Sequence, residues 1–169
     1  MIEETTRRVR FGTPADLTYV YSIMNRMHDS VGYAPKGGLL DRLETRRIIM
    51  LIENDDPAGY MSFTHRRDGH THMSQIAIEE EVWRTQAGTE LMQTLIDGAL
   101  EQGSHGITLR TAIDLQANFF WPTMGFLPQR VDQPKRRRQI HWALLLDACP
   151  DQPLITPVRG AQRTPNVWL

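Results

Sequence analysis

Three short apolar runs followed by one amphipathic helix restrict this chain more than any other feature of its sequence. Arg47–Glu53, Gly59–His65 and Thr71–Ile78 are separated by the polar turns Asn54-Asp55-Asp56-Pro57 and Arg67-Asp68-Gly69. Short runs joined by tight turns predict an antiparallel meander. Beyond them, Leu91, Met92, Leu95, Ile96 and Ala99 share one face at helical spacing, and Gly103 stops the pattern. That periodicity is the strongest helix signal in the chain.

The flanking segments extend the order. Val9–Thr13 reads as an opening strand. Thr13-Pro14-Ala15-Asp16 reads as a helix start, with Thr as cap and Pro where its missing N–H costs little. Leu17, Val20, Tyr21, Met24 and Met27 give that helix its apolar face, and it should end near Val31-Gly32. Gly37-Gly38 separates it from a second helix around Leu39–Arg46. Later come a strand at Ile107–Ala112, a short aromatic helix at Leu115–Met124, and strands at Phe126–Val131 and Gln139–Leu146. The order is β-α-α-β-β-β-α-β-α-β-β, with seven strands and no internal repeat. Residues 1–148 form one domain. Residues 149–169 read as an extended, proline-rich tail that could lie along the domain or clasp a second copy of the chain.

Length and composition bound the function. A chain of 169 residues is one ordinary domain, and 40% hydrophobic with 23% charged residues fits a globular protein. The net charge of −1 argues against a dedicated nucleic-acid binder, so no such partner is expected. A single cysteine, Cys149, excludes an internal disulfide and any zinc site with several thiolates. The N-terminus is polar, and no apolar run reaches the ~20 residues that span a bilayer. A cytoplasmic protein with no membrane partner is the expectation.

The strand ending at Ile78 runs through a polar turn, Glu79–Gln86, into a helix opening near Gly88. Free N–H groups at a helix start, with the helix dipole behind them, suit an anion. Alternation places His70, His72, Ser74, Ile76 and Ile78 on one face of the preceding strand. His70 and His72 stand beside a turn, which favours solvent-facing rings. They could also share a metal, although spacing assigns no third ligand.

Together, three stretches resemble the signatures of the GNAT N-acetyltransferases: Ile76-Ala77-Ile78, Gln86-Ala87-Gly88-Thr89-Glu90-Leu91-Met92, and Ala117-Asn118-Phe119-Phe120-Trp121-Pro122-Thr123-Met124-Gly125-Phe126. The element order is similar to the family's from about Val9 to Leu146. The resemblance implies an α+β fold with a mixed, mostly antiparallel sheet of about seven strands and helices on both faces. It also implies acetyl-CoA as co-substrate and a small-molecule or peptide amine as acceptor. The family's first motif, (Arg/Gln)-x-x-Gly-x-(Gly/Ala), aligns with Trp83, Gln86 and Gly88 when the helix keeps its apolar phase. Arg is thereby replaced by Trp and the first Gly by Gln. Where the family often carries the tyrosine that protonates the departing thiolate, this chain has Trp121, whose indole is no acid near neutral pH.

The resemblance further implies roles. The backbone of Ile76 and Ile78 would bond the pantetheine arm in a gap between two strands, and Arg84, Gln86, Ala87, Gly88 and Thr89 would surround the pyrophosphate. Ala117, Phe120 and Trp121 would flank the arm. An ammonium has no lone pair, so the acceptor must lose a proton before attack, and a general base suits that step. His72 stands where some members place a carboxylate base, and Glu79, with Glu80 and Glu81 beside it, is the second choice. Two alternatives remain open at this point. One is a binding module that keeps the scaffold without transfer. The other is an acetyltransferase acting on a nucleic-acid or nucleotide amine, with Lys135–Arg138 as phosphate clamp.

Overall fold

The computed structural model describes residues 3–132 and 137–146. The tail 149–169, Cys149, and Lys135 and Arg136 of the basic run lie outside the described residues. Seven strands form a mostly antiparallel sheet in the order β1-β2-β3-β4-β5-β7-β6. They are β1 (Arg7–Phe11), β2 (Ile48–Glu53), β3 (Asp56–His65), β4 (His70–Ile78), β5 (Gly106–Ala112), β6 (Leu127–Val131) and β7 (Gln139–Leu145). The helices are α1 (Leu17–Arg26), the single turn α2 (His28–Val31), α3 (Lys36–Glu44) and α4 (Ala87–Glu101). The chain divides into two compact units. One runs to Thr64 and includes Met73–Asp97; the other combines His65–His72 with the residues from Gly98 onward.

In the first unit, β1 pairs antiparallel with β2, and β2 with β3. Ile48, Met50 and Ile52 of β2 join Val20, Ile23 and Met24 of α1 and Leu39 and Leu43 of α3 in one core, with Tyr60 of β3 and Ala77 of β4. Ile49 and Leu51 point to the other side of the strand and are equally buried, so both faces are covered. A continuous apolar strand is what such a position requires. The meander turn is tight because Asn54 and Asp55 both take left-handed backbone (φ 51° and 66°), a conformation Asn and Asp tolerate better than most residues.

In the second unit, β7 pairs antiparallel with both β5 and β6. Its core is aromatic: Trp121 is 1% exposed and meets Phe120 and Phe126 edge-on, at ring distances of 5.1 and 5.8 Å.

Three local features differ from the sequence expectation. The first helix stops at Arg26, and Val31 closes a separate turn. The His28 ring, 3.0 Å from the Asn25 carbonyl, satisfies one of the freed acceptors there. Gly37-Gly38 does not separate helices but lies in the first turn of α3, after Pro35 as cap. The aromatic segment is not one helix. It forms two 3-10 turns, Gln116–Phe119 and Trp121–Met124. Pro122 has no N–H to continue a ladder, and Gly125 closes the second turn at φ 90°.

Candidate functional site

The end of β4 carries the first half of the candidate site. The Glu79 N–H donates to the Ala58 carbonyl at 2.9 Å, which ties that point of the chain to β3. Along a strand, successive residues direct their amides to opposite edges. Ile78 and Ile76 therefore direct their backbone groups to the edge away from β3. The burial of β4 follows the same period: His72, Ser74, Ile76 and Ile78 are half-buried, whereas Thr71, Met73, Gln75 and Ala77 are buried. Close packing fixes this strand end. A Cβ at Gly59 would meet the Ala77 carbonyl oxygen at 2.6 Å and the Ile78 Cα at 3.1 Å.

The turn that follows has an unusual backbone. Arg84 and Gln86 both adopt left-handed conformations, φ 62° and 66°. For residues with a Cβ this costs on the order of 1–3 kcal/mol each and survives only where the surroundings enforce it. Gln86 occupies the position aligned with a motif glycine, so the chain keeps a glycine-like backbone without the glycine. The helix α4 begins one residue later, at Ala87. Its first intrahelical acceptor geometry leaves the N–H groups of the opening residues, Ala87, Gly88 and Thr89, without helical partners. Glu90 N–H is the one that reaches back, to Gln86 O at 3.0 Å. Ala87 is buried, and Gly88 and Thr89 are half-buried. Trp83, aligned with the motif's cation, is 52% exposed, and its indole N–H donates to the Ile78 carbonyl at 2.7 Å.

Glu79 is not a free carboxylate. Arg26 donates to both of its oxygens (3.0 and 2.7 Å), and the Tyr19 hydroxyl donates to one at 3.0 Å. The Arg26 guanidinium holds its pKa below the ordinary carboxylate range. A carboxyl group kept ionised in this way is a weak proton acceptor near neutral pH.

The second unit carries the candidate histidines His65, His70, His72 and His141. His72 Nδ1 lies 3.0 Å from Thr108 Oγ1 of β5. The tautomer decides the role: with the proton on Nδ1, donated to Thr108, the other ring nitrogen is the basic one. The turn does not leave its histidines in water. His70 is 3% exposed and His72 half-buried. His65 Nδ1 meets Thr71 Oγ1 at 2.8 Å, and Thr71 meets Ser104 Oγ at 2.7 Å. His141 Nε2 lies 2.8 Å from Asp132 Oδ2. Burial pushes the pKa values of His65, His70 and His141 down. Among the described residues no group of three or more His, Cys, Asp or Glu side chains is placed to hold a metal ion.

The aromatic signature sorts by depth. Ala117 is exposed, Phe119 is 80% exposed, Phe120 is half-buried and Trp121 is buried, its Nε1 without a hydrogen-bond partner among the described residues. Sequence reasoning missed Asn118 as the organiser of this turn. Its amide donates to the Ala112 and Ile113 carbonyls (2.8 and 3.2 Å), and its oxygen accepts from Thr111. It missed Arg7 of β1 as well, whose guanidinium donates to the Thr85 carbonyl at 2.7 Å, because nothing in the sequence links that residue to a turn 78 positions away.

A family model described as the Acetyltransferase (GNAT) family matches residues 17–126. No curated protein sequence matches the chain. Among solved structures the fold is similar to that of Ard1 from Thermoplasma volcanium, with TM-score 0.74, 17% identity, and 82% of this chain and 97% of that one covered. It is also similar to the ribosomal-protein-S18-alanine N-acetyltransferase from Escherichia coli (TM-score 0.71, 18% identity, 83% and 94% covered). A third similar structure is N-acetylglutamate synthase from Neisseria gonorrhoeae complexed with coenzyme A and N-acetyl-glutamate (TM-score 0.71, 12% identity, 86% and 36% covered). At these identities the likeness is one of fold. No helix among the described residues is long and apolar enough to cross a membrane.

Proposed function

Because the chain belongs to the GNAT acetyltransferase family, we propose that it transfers the acetyl group of acetyl-CoA to a primary amine by direct attack. The acceptor is a small molecule or a peptide. The observation that carries this reading is the backbone from Arg84 to Ala87, which is glycine-shaped at Gln86 and delivers the chain directly into the start of α4. Amides so presented suit a pyrophosphate, and the backbone edge of Ile76 and Ile78 suits the amides of a pantetheine arm. Phe120, half-buried, and the exposed Ala117 offer the arm an apolar flank. Trp121 supports that flank from the core rather than by contact.

In the reaction the amine nitrogen forms a bond to the thioester carbonyl carbon. The carbon–sulfur bond then breaks and the thiolate leaves with a proton from water. Before the attack His72 takes the ammonium's proton, directly or through a water, with Thr108 holding the ring, and the proton that the nitrogen sheds as the amide forms passes through water to the thiolate. Glu79, held ionised by Arg26, supplies negative charge that attracts an ammonium and does not remove its proton.

Thiol release from acetyl-CoA, followed across a panel of amines, tests the reading. Wild-type protein should release CoA with at least one amine. His72→Gln should lower kcat/KM by about 10²–10⁴-fold and flatten the acid side of the pH–rate profile. An unaltered profile would remove His72 from the base role.

One observation favours a binding module without transfer. The Trp83 indole N–H already occupies the Ile78 carbonyl. Calorimetry with acetyl-CoA separates the two readings of the fold, since the enzyme should bind in the micromolar range and give heat.

A further inference from the structure

Arg7 is remote in sequence from the turn before α4, yet both terminal nitrogens of its guanidinium reach it. One terminal nitrogen donates to the Thr85 carbonyl at 2.7 Å, and the other donates to Thr85 Oγ1 at 2.6 Å. The side chain is 12% exposed. Its other contacts anchor it from behind. Nε and one terminal nitrogen donate to the same Glu53 oxygen at 3.0 and 2.8 Å, and Glu90 of α4 lies at 3.5 Å. Thr85 completes the brace by donating its hydroxyl to the Val82 carbonyl at 2.6 Å. The residue gripped is the one between Arg84 and Gln86, the two that adopt left-handed backbone against the preference of their Cβ atoms.

We propose that Arg7 is a positioning residue for the cofactor's pyrophosphate. It substitutes for the missing motif glycine by clamping Thr85, so that Arg84 and Gln86 are held in the shape a glycine would adopt unaided. Two planar donors on one residue fix both its position and its orientation, which a lysine's single ammonium would not do. With the clamp in place the amides at the start of α4 are preset for the anion. Without it the turn relaxes toward right-handed or extended backbone, and those amides diverge.

The inference rests on the reading of this turn as the pyrophosphate site, and the test separates the two. Wild type, Arg7→Met and Arg7→Met/Gln86→Gly are titrated with CoA and with acetyl-pantetheine, which lacks the pyrophosphate. Amide exchange of Arg84–Thr89 is measured without ligand. Arg7→Met should weaken CoA about tenfold or more and leave acetyl-pantetheine unchanged, while exchange in the turn speeds up. Gln86→Gly in that background should recover part of the lost affinity, because glycine needs no clamp. Thr85→Val, which removes the hydroxyl that accepts from Arg7 and donates to Val82 but spares the Arg7–Glu53 pair, should give a smaller loss of the same kind should Arg7→Met fold poorly. Equal weakening of both ligands, or unchanged CoA binding, overturns the clamp. Failure of wild type to bind CoA overturns the reading of the site, and the exchange measurement then decides the clamp by itself, with unchanged exchange in Arg7→Met counting against it.

Discussion

In the unit built on β1–β3, the perturbed acids are ions with partners. Asp16 accepts from both terminal nitrogens of Arg10 (2.8 and 3.0 Å) and from the Thr13 N–H (2.8 Å), and Glu79 is held by Arg26 and Tyr19. In the unit built on β5–β7, the perturbed groups are imidazoles. His70 and His141 are 3% and 7% exposed, and burial favours their neutral form. The contrast teaches that both units lose stability on acidification, through different groups and over different pH windows. The Arg10 and Arg26 guanidinia depress the pKa values of Asp16 and Glu79. Their stabilisation is complete above the ordinary carboxylate range and is lost as pH falls through the depressed values. A histidine with a depressed pKa acts in the same direction at higher pH. The unfolded chain gains its proton first, so stability is complete above about pH 6.5 and declines below that, toward the depressed folded value.

The largest test of this contrast addresses the neutral core. Trp121→Ala should cost about 3–5 kcal/mol in urea unfolding, the usual cost of emptying a large aromatic site. That cost should not depend on salt, since no charge is involved. Next in size, Asp16→Ala should cost about 2 kcal/mol at pH 7, because it removes charge-assisted hydrogen bonds and a helix-start cap together. The difference from wild type should shrink below about pH 4, where the unfolded chain's carboxylate takes up its proton while the native one, held by Arg10, is still ionised. A pH-independent difference would mean that packing, not charge, is what Asp16 provides. The smallest and most specific effect belongs to His70, which faces Asp68 at 3.7 Å and lies near His105 and Arg66. His70→Gln should flatten the fall in stability between pH 7.5 and 5.5, followed by amide exchange in β5 and β7. An unchanged slope would assign that fall to His65 and His141.

Most of the fold was legible because it is written in local periodicity. The meander runs, the apolar face of α4 and the turn at Asn54-Asp55 each state their structure within a few residues. What was not legible depends on contacts between distant segments or on competition within a turn. The split of Leu115–Met124 into two 3-10 turns follows from Pro122 and from Asn118 drawing carbonyls into its own amide, which helical spacing does not register. The apolar phase of α4 was legible, and the residue it sets against the family's first motif glycine, Gln86, has a left-handed φ of 66°. That backbone was not legible, because the brace we propose for it reaches in from Arg7, 78 residues before Thr85. The burial of His70 was hidden for a similar reason. A place next to a turn favours water, but Gly69 brings this turn against His105, whose ring a Cβ at Gly69 would meet at 2.7 Å.

The missing side chain at position 59 has a bearing on how this protein can vary over time. Only a hydrogen fits between that α-carbon and the last residues of β4, so a mutation there cannot be absorbed by a side chain swinging aside; the obstacle is main chain. Novelty in such a lineage must enter elsewhere, through loops and exposed residues, while this one site is closed to drift.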